Sequence, residues 1–153
     1  MDLVRDCIAH MRAQGIDQWD EVYPDPATLA RDIDEGSMSV AIGADGIVGM
    51  IVLDDRLDPG WAPVAWTLTG RPGAVHRLMV APRWEGRGLA AALLRSVEDS
   101  ARSRGFACLR LDVFRGNPRA VRLYELAGYR HAGECRFRKG WFACMEKRVA
   151  IAD

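Results

Sequence analysis

The residues best placed to do chemistry gather around Gly86-Arg87-Gly88, between a β-type run ending at Val80 and a helical run starting at Arg87. Glycine lets the backbone turn sharply and approach a ligand. The first turn of the following helix has unpaired N–H groups and the positive end of its dipole, so a pyrophosphate would suit it. Farther along, Asn117 and Tyr124 stand seven residues apart in another helical run and face the same way. Capping of that helix accounts for Asn117 by itself, and core packing accounts equally for Tyr124. As chemistry, the pair offers an amide hydrogen bond and a phenolic proton. His76, in the run before the glycines, can take a proton at neutral pH or simply pack at the sheet surface. Asp112 and Glu21 are further candidate bases.

The glycines alone do not separate a ligand loop from an ordinary turn. Gly86-x-Gly88-x-x-Ala91 also matches the dinucleotide fingerprint, with Asp112 downstream. Two facts oppose that match. Ala81 to Glu85 intervene after the strand, and only one helix and one hairpin remain after Phe114, too few elements for a Rossmann unit. A P-loop is excluded because no Gly-Lys-Ser/Thr follows.

These residues need elements to hold them. Leu3, Cys7, Ile8 and Met11 recur at helical spacing over 3–14, and Gly15 stops the helix. The stretch 18–24 reads as a loop, and Asp25-Pro26 starts a second helix that ends at Gly36. Met38–Ile42 and Ile47–Leu53 form a hairpin around Gly43-Ala44-Asp45-Gly46. Residues 54–73, rich in Gly, Pro and Trp, carry no clear pattern. Val75–Val80 is a third strand, Arg87–Arg104 the strongest helix, and Phe106–Phe114 another strand. Asn117-Pro118 opens a helix running to Gly128, and a last hairpin pairs Tyr129–Phe137 with Trp141–Val149. The order predicts one α/β (α+β) domain over 1–153, a mixed central sheet flanked by helices.

The composition sets limits. Hydrophobic residues at 49% and charged residues at 27% describe a globular chain rather than a disordered one. Twenty-one basic and 21 acidic side chains cancel, which argues against a general nucleic-acid binder. Cys7, Cys108, Cys135 and Cys144 form no C-x-x-C pair, so reduced thiols and no metal site are expected. Neither a signal peptide nor a membrane span is expected, and a reducing cytoplasm is the consistent setting.

Leu78-Met79-Val80-Ala81-Pro82-Arg83-Trp84-Glu85-Gly86-Arg87-Gly88-Leu89-Ala90 resembles motif A of the GNAT acetyltransferase superfamily, Arg/Gln-x-x-Gly-x-Gly/Ala between a strand and a helix. Asn117 to Tyr129 resembles a second family signature, Asn-x-x-Ala-x-x-x-Tyr-x-x-x-Gly-Phe/Tyr. The two blocks stand in the family's order, separated by a helix and a strand.

The resemblance implies acetyl-CoA as cosubstrate, no metal, and transfer of the acetyl group to a primary amine of a small molecule or peptide. A non-catalytic CoA-binding or regulatory module is the alternative. Leu78, Met79 and Val80 would pair with the pantetheine arm, and backbone N–H groups from Trp84 through Ala90 would cradle the pyrophosphate, with charge from Arg83 and Arg87. Asn117 would bond the pantetheine, and Tyr124 would protonate the leaving sulfur; where many family members place a carboxylate base, the third strand of this chain offers His76 instead. Trp19, Tyr23 and Trp66 would wall the acceptor site, joined by Trp141 and Phe142; core or lid packing explains each as well. The basic cluster Arg115, Arg119, Arg122, Arg130, Arg136, Arg138 and Lys139 would serve the 3′-phosphate or form a solvated face. The family usually opens with a strand before its first helix, and this sequence begins almost directly in the helix: either that strand is absent or the start is late, and an absent strand would leave a sheet edge for a homodimer partner to cover.

Overall fold

The computed structural model describes residues 1–44 and 46–150; Asp45, part of the turn expected from the sequence, and the last three residues lie outside the described residues. Along the described residues run α1 (Asp2–Ala13), α2 (Pro26–Asp34), β1 (Met38–Gly43), β2 (Gly46–Asp54), β3 (Pro72–Val80), α3 (Leu89–Ser103), β4 (Cys108–Phe114), α4 (Pro118–Leu126), β5 (Arg130–Phe137) and β6 (Gly140–Arg148). The strands form one sheet in the order β1-β2-β3-β4-β6-β5. Only β3 and β4 pair in parallel; the other neighbours are antiparallel. The mixed sheet with flanking helices is the architecture expected from the sequence. No strand precedes α1 among the described residues, and β1 forms an edge with Val40 and Ile42 exposed. No described helix is long and apolar enough to cross a membrane.

Boundaries moved where local geometry overrides periodicity. The helix expected from Arg87 starts at Leu89, because Gly88 sits at φ 80° and cannot lie inside a right-handed helix. The third strand begins at Pro72 rather than Val75, since Pro72, Gly73 and Ala74 pair with Cys108, Leu109 and Arg110. The strand expected from Phe106 begins at Cys108.

Side chains alternate across the sheet, and the two faces are covered differently. On one face α3 and α4 pack Leu93, Leu94, Val97 and Tyr124 against Ile51, Leu53, Leu109, Leu111, Val113 and Met145. On the other, α1 and α2 cover β2 and β3 through Leu3, Val4, Cys7, Ile8 and Leu29. The rest of that second face lies under segment 55–71, where Trp61 and Val64 pack on Ala74, Cys135, Phe142 and Cys144.

Candidate active site

The sheet is partly unzipped at its centre. Pairing of β3 with β4 stops at Ala74 and Arg110, although both strands continue. A bulge drives β3 away: Met50 pairs with Met79 and Val52 with His76, so β3 has one residue more than β2 can match. Arg77 takes up the excess at φ 51°, in the left-handed region. That conformation costs a non-glycine residue about 1–2 kcal/mol, and a buried anchor offsets it. The Arg77 guanidinium donates Nε and Nη2 to both oxygens of the fully buried Asp32, each at 2.8 Å. Its Nη1 donates to the Tyr23 hydroxyl at 2.7 Å. The bulge is therefore fastened to α2 and to the loop before it.

A cleft of about 790 Å³ runs through this parting, lined from both sides of the sheet. On the α3 side it is bordered by Leu78, Met79, Val80, Trp84, Glu85, Gly86, Gly88, Leu89 and Ala90. Gly86 and Gly88 have φ of 72° and 80°, and a Cβ on either would meet nothing within 4 Å among the described residues. Glycine is thus required there by backbone conformation. Among the described residues no side chain caps α3, so its first N–H groups stay available to an anion at the mouth of the cleft. The Cys7 thiol donates to the Val80 carbonyl at 3.4 Å.

The charges differ from the sequence expectation. Arg83 and Arg87 do not border the cleft: Arg83 lies at a separate depression beside Asp2 and Asp6, and Arg87 stacks 5.3 Å over Trp84. Arg119, Arg122, Arg138 and Lys139 border it instead. Arg119 pairs with Glu85 at 2.5 Å. Arg138 and Lys139 tie the β5–β6 turn to Asp20 and Asp17 at 2.8 Å. Of the remaining basic cluster, Arg115 pairs with Glu134 and Arg136 lies over Trp141.

On α4, Asn117 accepts from Ala120 N at 3.1 Å as the cap and donates Nδ2 to Gln18 Oε1 at 3.1 Å. Two turns on, Tyr124 borders the cleft, packed edge-on against Tyr129 with centroids 5.7 Å apart. Burial, then the charge of Asp112, pushes its hydroxyl pKa above the usual tyrosine value. It is a protonated donor at neutral pH, and its hydroxyl has no hydrogen-bond partner among the described residues.

Across the parting, Asp112 and His76 face the cleft. Asp112 Oδ2 accepts from the Trp61 indole Nε1 at 2.8 Å. Burial raises the Asp112 pKa; the Trp61 bond and the nearby His76 act in the opposite sense. His76 Nε2 lies 3.5 Å from Asp54 Oδ1, and the imidazole stacks on Trp61 at 5.9 Å and 18°. Burial works against the Asp54 charge, but His76 and Arg56 together outweigh it and lower its pKa to about 2.

Trp19 and Tyr23 line the cleft, with Phe137 and Phe142 from the last hairpin. Trp66 does not line it. Its ring meets Trp61 edge-on at 5.6 Å and carries the Arg110 guanidinium at 4.7 Å, behind the site. Glu21 is exposed and paired with Arg12, away from the cleft, and Trp141 is half-exposed outside it. The aromatic residue missed by sequence is Trp61, which is 2% exposed. A signal for it exists: Asp58-Pro59 repeats the cap-and-proline pattern of Asp25-Pro26 and Asn117-Pro118, and Asp58 accepts from Gly60 N at 2.7 Å. Among the described residues no cluster of three His, Cys, Asp or Glu is arranged for a metal.

A parted β3–β4 pair, glycines at an uncapped helix start and the Asn117/Tyr124 face reproduce both sequence blocks in space. Residues 4–129 match the model of the Acetyltransferase (GNAT) family. The chain belongs to that family.

Its GNAT relatives include the streptothricin acetyltransferase of Streptomyces lavendulae, 31% identical over 94 residues, which is 61% of this chain and 44% of that protein. The thialysine N-epsilon-acetyltransferase of Mus musculus is 30% identical over 77 residues, 50% of this chain and 44% of that one. The chain thus spans less than half the length of these curated relatives. Among solved structures, a GNAT-family acetyltransferase from Streptococcus agalactiae superposes with TM-score 0.86 at 22% identity, covering 98% of this chain and 88% of that one. The ribosomal-protein-S18-alanine N-acetyltransferase of Escherichia coli superposes at TM-score 0.65 and 23% identity, covering 92% and 88%. At these identities the superpositions establish a shared GNAT fold.

Proposed function

We propose that this GNAT protein transfers the acetyl group of acetyl-CoA to a primary amine of a small molecule or peptide. One observation carries this: a single cleft through the parted sheet holds a protonated phenol, Tyr124, and a proton acceptor, Asp112, close enough that the charge of one shifts the other. The names of the relatives support transfer to nitrogen, since two of them specify N-acetylation.

The chain's own groups fit the cosubstrate. The edge of β3 over Leu78–Val80, which β4 leaves unpaired, suits an amide-bearing pantetheine arm, and the uncapped start of α3 suits the pyrophosphate. Arg119 or Arg122 takes the charge-pairing role expected of Arg83 and Arg87. The acceptor enters from the side of Trp19, Tyr23 and Phe137. An ammonium cannot attack a carbonyl until it loses a proton. Asp112, the carboxylate felt at Tyr124, receives that proton, and His76, backed by Asp54, stands beside it as the next acceptor. The nitrogen forms a bond to the carbonyl carbon and the C–S bond breaks. Tyr124 supplies a proton to the sulfur, leaving an amide and a free thiol.

A panel of small amines and peptide amines with acetyl-CoA, read by thiol release, tests this. Release that depends on an amine is expected, with acetyl-CoA but not NAD raising Tm. Thermal stabilisation by acetyl-CoA with no release from any amine would identify a CoA-binding module instead. Stabilisation by NAD in place of acetyl-CoA would overturn the assignment of the cleft.

A further inference from the structure

Asp112 reaches the cleft from a sheet face otherwise closed over by segment 55–71, and one side chain of that segment touches both proton acceptors. Trp61 sits in a 3-10 turn, Pro59–Trp61, started by the Asp58 cap. Its indole N–H ends on Oδ2 of Asp112 at 2.8 Å, and its ring lies nearly parallel to His76. Rotation of the indole is blocked on the far side by Trp66, edge-on at 5.6 Å. The turn is clamped from above by Phe137, whose ring occupies the space that a Cβ on Gly60 would need. Behind the turn, Glu146 accepts from Thr67 N at 2.9 Å and Leu68 N at 3.1 Å, and Arg110 donates to the Leu68 carbonyl at 3.1 Å. A buried tryptophan N–H is a donor only, so it can hold a carboxylate oxygen but cannot take its proton.

We propose that Trp61 is the positioning residue of the acceptor site: its indole N–H ties down Oδ2 of Asp112, leaving Oδ1 to the acceptor nitrogen, while its ring holds His76 alongside. The proposal rests on the acetyl-transfer function above. The same bond favours the ionised carboxylate against the burial that opposes it. The titratable groups that face Asp112 are His76 from β3, Asp58 from the segment, Tyr23 from the α1–α2 loop, Tyr124 from α4, and Cys135 and Cys144 from β5 and β6.

The test is a carbon-13 titration of the Asp112 side-chain carboxyl in the native protein and in Trp61→Phe, which keeps a ring over His76 and removes the donor. The midpoint should rise by about one pH unit in the variant, the scale of one charged hydrogen bond. The acid limb of the kcat/KM profile should move up with it, with KM for acetyl-CoA unchanged. An unmoved carboxyl midpoint overturns the proposal. Should Trp61→Phe fail to fold, the native indole Nε1–H resonance decides: it should follow the Asp112 titration, and an indifferent resonance overturns the assignment. If the native protein acetylates no amine, the functional reading falls alone, because the carboxyl titration still reports whether Trp61 holds Asp112.

Discussion

Toward α3 and α4, strands β4 and β6 present Leu109, Leu111, Val113, Ala143 and Met145; toward segment 55–71 the same strands present Arg110, Asp112, Cys144 and Glu146. The covers differ accordingly. Helices lay apolar stripes on the first face, since their own N–H groups are spent inside the helix. On the second face the cover lacks regular structure over most of its length, and its backbone N–H groups remain free to point sideways. Thr67 and Leu68 use theirs on Glu146, and Trp61 adds an indole. Charged groups inside a protein need donors at set positions. An irregular segment can supply them where a helix cannot, so β4 and β6 keep their buried carboxylates, Asp112 and Glu146, on the face away from α3 and α4.

Substitution on each face should separate chemistry from stability. Asp112→Asn should lower kcat/KM by about 10³-fold, the scale of a lost general base. Its Tm should hold or rise, because burial already disfavours the Asp112 charge. Leu94→Ala, on the helical face at 1% exposure, should do the reverse. It should cost about 2–5 kcal/mol in denaturant unfolding with activity per folded molecule retained. A variant of Asp112 that loses fold and activity together would break the contrast. Tyr124→Phe should reduce turnover by about 10²-fold with little change in KM for acetyl-CoA; unaltered turnover would remove its acid role.

The smallest effect is on pH dependence, where the second face carries opposing groups. The Asp54 pKa is lowered, so its stabilisation is full above 3.8 and is lost as pH falls to about 2. Asp112 is raised, so its contribution has the other sign: stability falls as pH rises from the ordinary carboxylate value through its folded value. Tm measured against pH should therefore show Asp112→Asn gaining on the native protein as pH rises through that window. Parallel curves would mean that Asp112 is not desolvated.

Much of this was legible in the sequence. Asn117-Pro118 and Asp25-Pro26 mark helix starts by chemistry that is local to a few residues, and both caps form as expected. The 3.6-residue spacing around Leu93, Val97 and Ala101 marked α3, whose apolar stripe is buried. Gly86 and Gly88 were legible because positive φ selects glycine. Residues 54–73 were not, because their order comes from distant partners: Asp112, Glu146, Arg110 and Phe137 are all contributed by later strands. Trp61 and Trp66 were interchangeable by composition, and only the turn at Pro59 decides which indole reaches Asp112. The bulge at Arg77 was hidden for a related reason. An arginine at φ 51° contradicts local preference and exists because Asp32, 45 residues earlier, receives its guanidinium.

That bulge determines what kind of information the cofactor side of the cleft contains. Beyond Ala74, β3 turns a strand edge toward the gap, and an edge offers the same amides and carbonyls whatever side chains it bears. The identities of Leu78, Met79 and Val80 can therefore drift within packing limits without erasing that part of the site. What cannot drift is the place where the two strands diverge. A lesion at Asp32, which does not line the cleft, would release Arg77, which does, and so would close the gap and silence the cleft from behind it.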